Sequence, residues 1–201
     1  MELIILDIIG TIAFALSGYI ISSRANYDLL GIILISFISA FGGGVVRDII
    51  IGITPFLFTA TYPIVVAFTV IAVAILFKYK HKEKLEDNKL FVIADTIGLS
   101  SFAYTGAIAG IAAGLNIAGV VFLGLFTAIG GGMIRDVIMN KEIYTLKEGF
   151  YGTVAIIVAL LVYFFNLLAL VSFYYTFLIL VIGFILRILA IKYNWKLPKI
   201  K

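Results

Sequence analysis

Four charged residues stand inside otherwise apolar runs, and each pair follows a glycine triplet. The two stretches read Gly42-Gly43-Gly44-Val45-Val46-Arg47-Asp48 and Gly130-Gly131-Gly132-Met133-Ile134-Arg135-Asp136. Two more carboxylates, Asp7 and Asp95, interrupt apolar runs of their own. Charges in such places can hold one another, line water or steer an ion. They cannot easily make or break bonds, because the chain has no Cys and its single histidine, His81, lies in a lysine-rich stretch. Disulfides, thiol nucleophiles and Cys/His metal cages are excluded. The Asp residues also lack a nearby His, Cys or catalytic Ser motif, so no enzyme activity, cofactor or metal centre is expected.

A charge near the middle of a membrane helix costs about 2.5–3.5 kcal/mol on insertion scales, so the four Arg and Asp residues require partners or water. Sequence neighbours point about 100° apart on a helix, which predicts that neither Arg-Asp dipeptide forms its own ion pair. Depth within the apolar runs pairs Asp7 with Arg47 and Asp95 with Arg135, leaving Asp48 and Asp136 to line water or contact backbone. Four carboxylates against two guanidiniums lean toward cations. The rival reading is that these pairs only fix helix register. Each Gly costs about 1 kcal/mol relative to Ala inside a helix, so the triplets are weak points. Such a stretch can unwind in a membrane only where its backbone faces protein or water. The expectation is a hinge or pore element, and the alternative is close helix packing. Gly106, Gly110 and Gly114, at spacing four, fit a helix contact.

The elements that must carry these residues follow from composition. Of the 201 residues, 63% are hydrophobic and 13% charged, against roughly 45–50% and 25% in soluble domains. A soluble globule is excluded. Spans of about 20 apolar residues fall near 3–22, 29–52, 62–79, 90–112, 116–139, 150–166 and 168–191. The first has no basic leader and contains Asp7, so it reads as a retained span. Arg24, Lys78, Lys80, Lys82, Lys84, Lys89, Lys141, Lys147, Arg187, Lys192, Lys196, Lys199 and Lys201 then share one side. The positive-inside rule makes that side cytoplasmic, with the N-terminus outside. The net charge of +4 is therefore a topology signal, and nucleic-acid binding is not expected. Tyr62, Tyr79 and Trp195 suit interfacial anchoring, and the basic tail suits anionic membrane lipid.

An offset of 88 residues aligns the chain with itself without a gap. Asp7, Gly10, Phe14 and Gly18 meet Asp95, Gly98, Phe102 and Gly106, and each triplet with its Arg-Asp meets the other; about 16 of 44 positions are identical. Each copy holds three spans, so the second enters the membrane the other way up. The fold expected is all-α and integral to the membrane, with seven helices as two inverted three-helix repeats plus a seventh. The divisions are 1–79 for the first repeat, 80–89 for a cytoplasmic linker, 90–166 for the inverted second repeat, and 167–201 for the last span and tail. Inverted repeats commonly place a site at their interface.

The doubled GGGxxRD motif on helices 2 and 5 of such a chain resembles the prokaryotic branch of the trimeric intracellular cation (TRIC) channel family. The resemblance covers residues from about 3 to 190. It implies a homotrimer in a prokaryotic cell membrane, with a pore in each protomer lined by glycine-kinked helices 2 and 5. That pore would pass monovalent cations, chiefly K+, with gating at the glycines. Ser17, Ser39, Thr105 and Thr127 are expected as secondary lining. No TVGYG-like filter is present, which predicts modest discrimination between K+ and Na+. A secondary carrier of a small solute such as an amino acid, or a non-conducting scaffold, are the competing readings.

Overall fold

The computed structural model describes residues 2–77, 88–143, 150–170 and 172–198. Lys78, Tyr79, Lys80, His81, Lys82, Lys84, Lys147, Lys199 and Lys201 lie outside the described residues, as does most of the 80–89 linker. The described residues form helices α1 (Glu2–Arg24), α2 (Leu29–Ile50), α3 (Phe56–Thr59), α4 (Tyr62–Leu76), α5 (Lys89–Ala112), α6 (Ile117–Ile138), α7 (Tyr151–Leu167) and α8 (Phe173–Lys192). Five of them, α1, α2, α5, α6 and α8, are long and apolar enough to cross a membrane, whereas α4 and α7 are shorter apolar helices. The one-turn α3 was not visible in the hydropathy pattern.

Helix ends recur at the 88-residue offset. The side chain of Asp28 caps α2 by accepting from the Gly31 amide, and that of Asn116 caps α6 by accepting from the Gly119 amide. Past α1 and α5 the chain turns through left-handed Asn26 and Gly114, and past α2 and α6 through left-handed Gly52 and Asn140. Gly and Asn are the residues that tolerate this conformation best, and the two copies interchange them. Gly114 is thus a turn residue with open space around it, a correction to its expected place in a helix contact. Gly106 and Gly110 do approach α6 closely, at Thr127 and Val120.

The core is a ring in which α1 packs on α2 and α5, and α6 packs on α5 and α2. Helix α4 lies against α1 and α2, α7 against α5 and α6, and α8 against α7 and α5. The ring contacts are reciprocal. A Cβ on Gly10 would lie 2.6 Å from the Phe102 ring, and one on Gly98 2.5 Å from the Phe14 ring. A Cβ on Gly43 would strike the carbonyl of Thr127, and one on Gly131 the carbonyl of Ser39. In both pairs of helices the residue number rises on one as it falls on the other, so α1 runs antiparallel to α5 and α2 to α6. Reciprocal contact of this kind is what a two-fold relation between the copies produces.

The same contacts gather Arg24, Lys89 and Lys141 at one end of the bundle. The Phe150–Trp195 ring contact, with centroids 5.3 Å apart, brings the end of α8, with Lys192, to that end. The α-helical spans of α2 and α6 run unbroken through both glycine triplets. Along them the glycines form a seam on which the two backbones touch.

Candidate functional site

The unbroken α2 and α6 place the Arg-Asp pairs near their C-terminal ends, at opposite ends of the antiparallel core. Around Arg47, the Nε–H donates to Asp48 Oδ1 at 2.7 Å, and Asp48 Oδ2 accepts the Phe56 amide at 2.8 Å. The Arg47 Nη1 lies 3.8 Å from Asp7 Oδ1, and the guanidinium covers the Phe56 ring at 5.4 Å. The one-turn α3 thus supplies both a donor and a ring. Asp48 and Arg47 are buried, while the Asp7 side chain keeps 16% exposure. The hydroxyl of Thr105 is buried beside the Asp7 carboxylate and interacts with it, but neither that hydroxyl nor Asp7 Oδ1 makes a well-formed hydrogen bond.

The Arg135 half-site holds the equivalent residues more tightly. Arg135 Nε donates to Asp136 Oδ1 at 2.8 Å, and Nη1 donates to Ser17 Oγ at 3.3 Å and Ser39 Oγ at 3.2 Å. Ser17 Oγ in turn donates to Asp95 Oδ1 at 3.4 Å. Asp95 also hydrogen-bonds the Tyr151 side chain, and the Arg187 guanidinium covers the Tyr151 ring at 4.7 Å. Arg135, Asp136, Asp95, Ser17, Ser39, Tyr151 and Arg187 are all buried. Outside the helices, burial and then the Arg135 charge lower the pKa of Lys141; Asp136 opposes this and Arg24 adds to it.

Both Arg-Asp dipeptides are therefore ion pairs, against the sequence expectation. The Cβ directions of neighbours do diverge, but the arginine stem is long enough to fold its fork back onto the adjacent carboxylate. The expected Asp7–Arg47 contact is present, whereas Asp95 reaches Arg135 through Ser17. Of the expected lining residues, Ser17 and Ser39 hold Arg135, Thr127 donates to its own helix at the Leu123 carbonyl at 2.6 Å, and Thr105 stands beside Asp7. Of the triplets, Gly42 and Gly130 face the opposite seam, Gly43 and Gly131 form it, and Gly44 lies under Phe56.

Between the half-sites the core is filled by aromatic rings. Asp7 and Ser17 are ten residues apart on α1, or about 15 Å at 1.5 Å per residue. Phe14 and Phe102 fill that interval from α1 and α5 with ring centroids 5.3 Å apart, and both are buried. The glycine seam closes α2 against α6 at the same level. Sequence reading found Phe14 and Phe102 only as repeat identities. It missed Tyr151, and it counted Arg187 with the tail charges although Arg187 lies within α8 and is 1% exposed. An arginine flanked by Ile185, Leu186, Ile188 and Leu189 was the available signal.

Comparison with known proteins gives this arrangement a family. A family model described as Glycine transporter matches twice, at residues 4–79 and 92–167, again 88 residues apart. The UPF0126 membrane protein YvgT of Bacillus subtilis is 31% identical over 96% of this chain and 94% of its own length. A UPF0126 membrane protein of Deinococcus radiodurans is 37% identical over 75% and 70%. Among solved structures, a TRIC cation channel studied for its conductance superposes with a TM-score of 0.85 at 35% identity, over 98% of this chain and 96% of that one. A prokaryotic TRIC channel crystallised in KCl gives 0.87 at 30%, over 98% and 99%. The TRIC trimeric intracellular cation channel orthologue of Rhodobacter sphaeroides gives 0.82 at 26%, over 96% and 99%. The chain is an integral membrane protein, and it belongs to the Glycine transporter family, which is the TRIC family.

Proposed function

We propose that the protein is a monovalent cation channel, permeable to K+ and Na+, with a pathway through each protomer of a homotrimer. The observation that supports this most strongly is the pair of charged and hydroxyl-lined half-sites at opposite ends of one four-helix core, in a chain similar to solved cation channels. In this reading the seven spans form two inverted repeats and a seventh helix, with the N-terminus outside and the basic end in the cytoplasm of a prokaryotic cell. Asp7, Arg47, Asp48 and Thr105 form the outer vestibule. Asp95, Arg135 and Asp136 form the inner one.

The present conformation is closed at the Phe14–Phe102 waist, since an apolar constriction gates by excluding water. Opening requires the rings to part and the seam of Gly42, Gly43, Gly44, Gly130, Gly131 and Gly132 to shift or kink. Ions would then pass without a carbonyl filter, which gives modest K+/Na+ discrimination. Reversal potentials of purified protein in planar bilayers under K+/Na+ gradients test this. Small shifts with unitary currents are expected, and strict K+ selectivity or complete lack of flux in a verified trimer counts against it.

A second reading is favoured by the family description and by the Asp7–Arg47 approach of 3.8 Å. One carboxylate and one guanidinium at that separation could divide between the two charges of a small zwitterion, as in a carrier built on repeats. Saturable counterflow of a small amino acid, without unitary currents, would establish the carrier instead.

A further inference from the structure

We propose that Arg187, on the helix outside the duplication, makes the cation pathway electrically unequal from end to end and so makes its current rectify. The inference rests on the cation-pathway reading above. By formal charge, Asp7 and Asp48 against Arg47 leave the outer half-site at minus one. Asp95 and Asp136 against Arg135 would leave the inner half-site the same. Arg187 reaches this second site from α8: it covers the Tyr151 ring at 4.7 Å, Tyr151 hydrogen-bonds Asp95, and Arg187 lies within electrostatic range of that carboxylate. It brings the inner half-site to zero. The repeat offers the outer half-site no counterpart, because Pro63 stands 88 residues before Tyr151 and no helix equivalent to α8 packs on α4 among the described residues.

A low-dielectric wall preserves the effect of a buried charge, while salt screens exposed ones. A negative vestibule concentrates cations at its mouth, so cations entering from the Arg47 end should carry the larger current. The exposed Arg24, Lys89, Lys141 and Lys192 bias the opposite end in the same sense, but at 1 M salt the Debye length is about 3 Å and their contribution falls away.

The test is the current–voltage relation of the purified full chain in planar bilayers with symmetric 1 M KCl. Sidedness comes from an impermeant thiol reagent on Ile53→Cys, which has no native cysteine to compete with it. Wild type is expected to rectify by at least about twofold at equal and opposite voltages. Arg187→Gln should straighten the relation, and Arg187→Lys should restore it because the charge returns. Rectification unchanged in Arg187→Gln, or absent in Arg187→Lys, overturns the role of Arg187 while leaving the channel reading intact. A silent wild type overturns the channel reading itself. If Arg187→Gln fails to assemble, Asp95→Asn must steepen the rectification by removing negative charge from the same half-site, and an unchanged curve sinks the proposal.

Discussion

The two copies of the duplicated unit build the same half-site twice and finish it differently. Around Arg135 every described polar group in the chain Ser39–Arg135–Ser17–Asp95–Tyr151 is buried and bonded. Around Arg47 the equivalent threonine hydroxyl and one Asp7 oxygen make no well-formed hydrogen bond. Position 105 carries Thr where Ser17 stands in the other copy, and Thr127, the counterpart of Ser39, turns to its own helix. Duplication therefore preserves the backbone frame and the Arg-Asp anchor. The flanking helices decide whether the anchor sits in a sealed or an open environment.

The comparison breaks most directly at the two arginines. Arg135→Ala would break the buried Arg135–Asp136 pair and take the guanidinium from Ser17 and Ser39, a loss of about 3–5 kcal/mol for a broken buried pair. Arg47→Ala should cost less, because buried Asp48 keeps its bond from the Phe56 amide and Asp7 is partly exposed. Thermal unfolding in one detergent compares them, and equal losses would refute the sealed-versus-open distinction.

The glycine seam should instead treat the copies alike. Gly43→Ala and Gly131→Ala each push a methyl into the facing carbonyl, so each should destabilise by about 1–3 kcal/mol as overpacking does, and by similar amounts. A large difference between them in thermal unfolding would mean that the two-fold relation fails at the seam.

Much of this was legible in the sequence because duplication repeats identities that apolar composition alone does not produce. The triplets, both Arg-Asp pairs, Asp7 and Asp95 all stood out, and the helix limits were met within a few residues except at α3 and the start of α8. Three things were hidden. Adjacent Arg and Asp appeared unable to pair because helical geometry fixes Cβ directions and says nothing of where a long guanidinium ends. Arg187 seemed a tail charge because hydropathy cannot tell a buried arginine on an apolar helix from one at its end. The Phe14–Phe102 waist was hidden because one aromatic residue per helix has no meaning until two helices oppose.

The hydroxyls sharpen the comparison at a finer level. Ser17→Ala removes the relay between Arg135 and Asp95 and should cost about 1 kcal/mol. Thr105→Val conserves volume at the equivalent position and removes a hydroxyl that makes no well-formed hydrogen bond, so it should cost less than Ser17→Ala. In bilayers, Thr105→Val should lower cation current if that hydroxyl faces permeating ions. Equal destabilisation by the two substitutions would place Thr105 in a network like that of Ser17.

The smallest effect belongs to Lys141, which is exposed next to the sealed half-site. Burial and the Arg135 charge penalise its charged form in the folded protein, so its pKa lies below the ordinary 10.5. Below the folded-state pKa the lysine is charged whether folded or unfolded, and the destabilisation is fully present. As pH rises through that value toward 10.5 the proton leaves the folded protein first, and the penalty fades. Lys141→Gln should therefore raise Tm by no more than about 2 °C near neutral pH. The gap from wild type should close in alkaline buffer. A Tm lowered by Lys141→Gln near neutral pH, with the deficit closing in alkaline buffer, would mean that Asp136 outweighs burial and Arg135 at this lysine, and that the sealed half-site presents a negative rather than a positive field to its own end of the bundle.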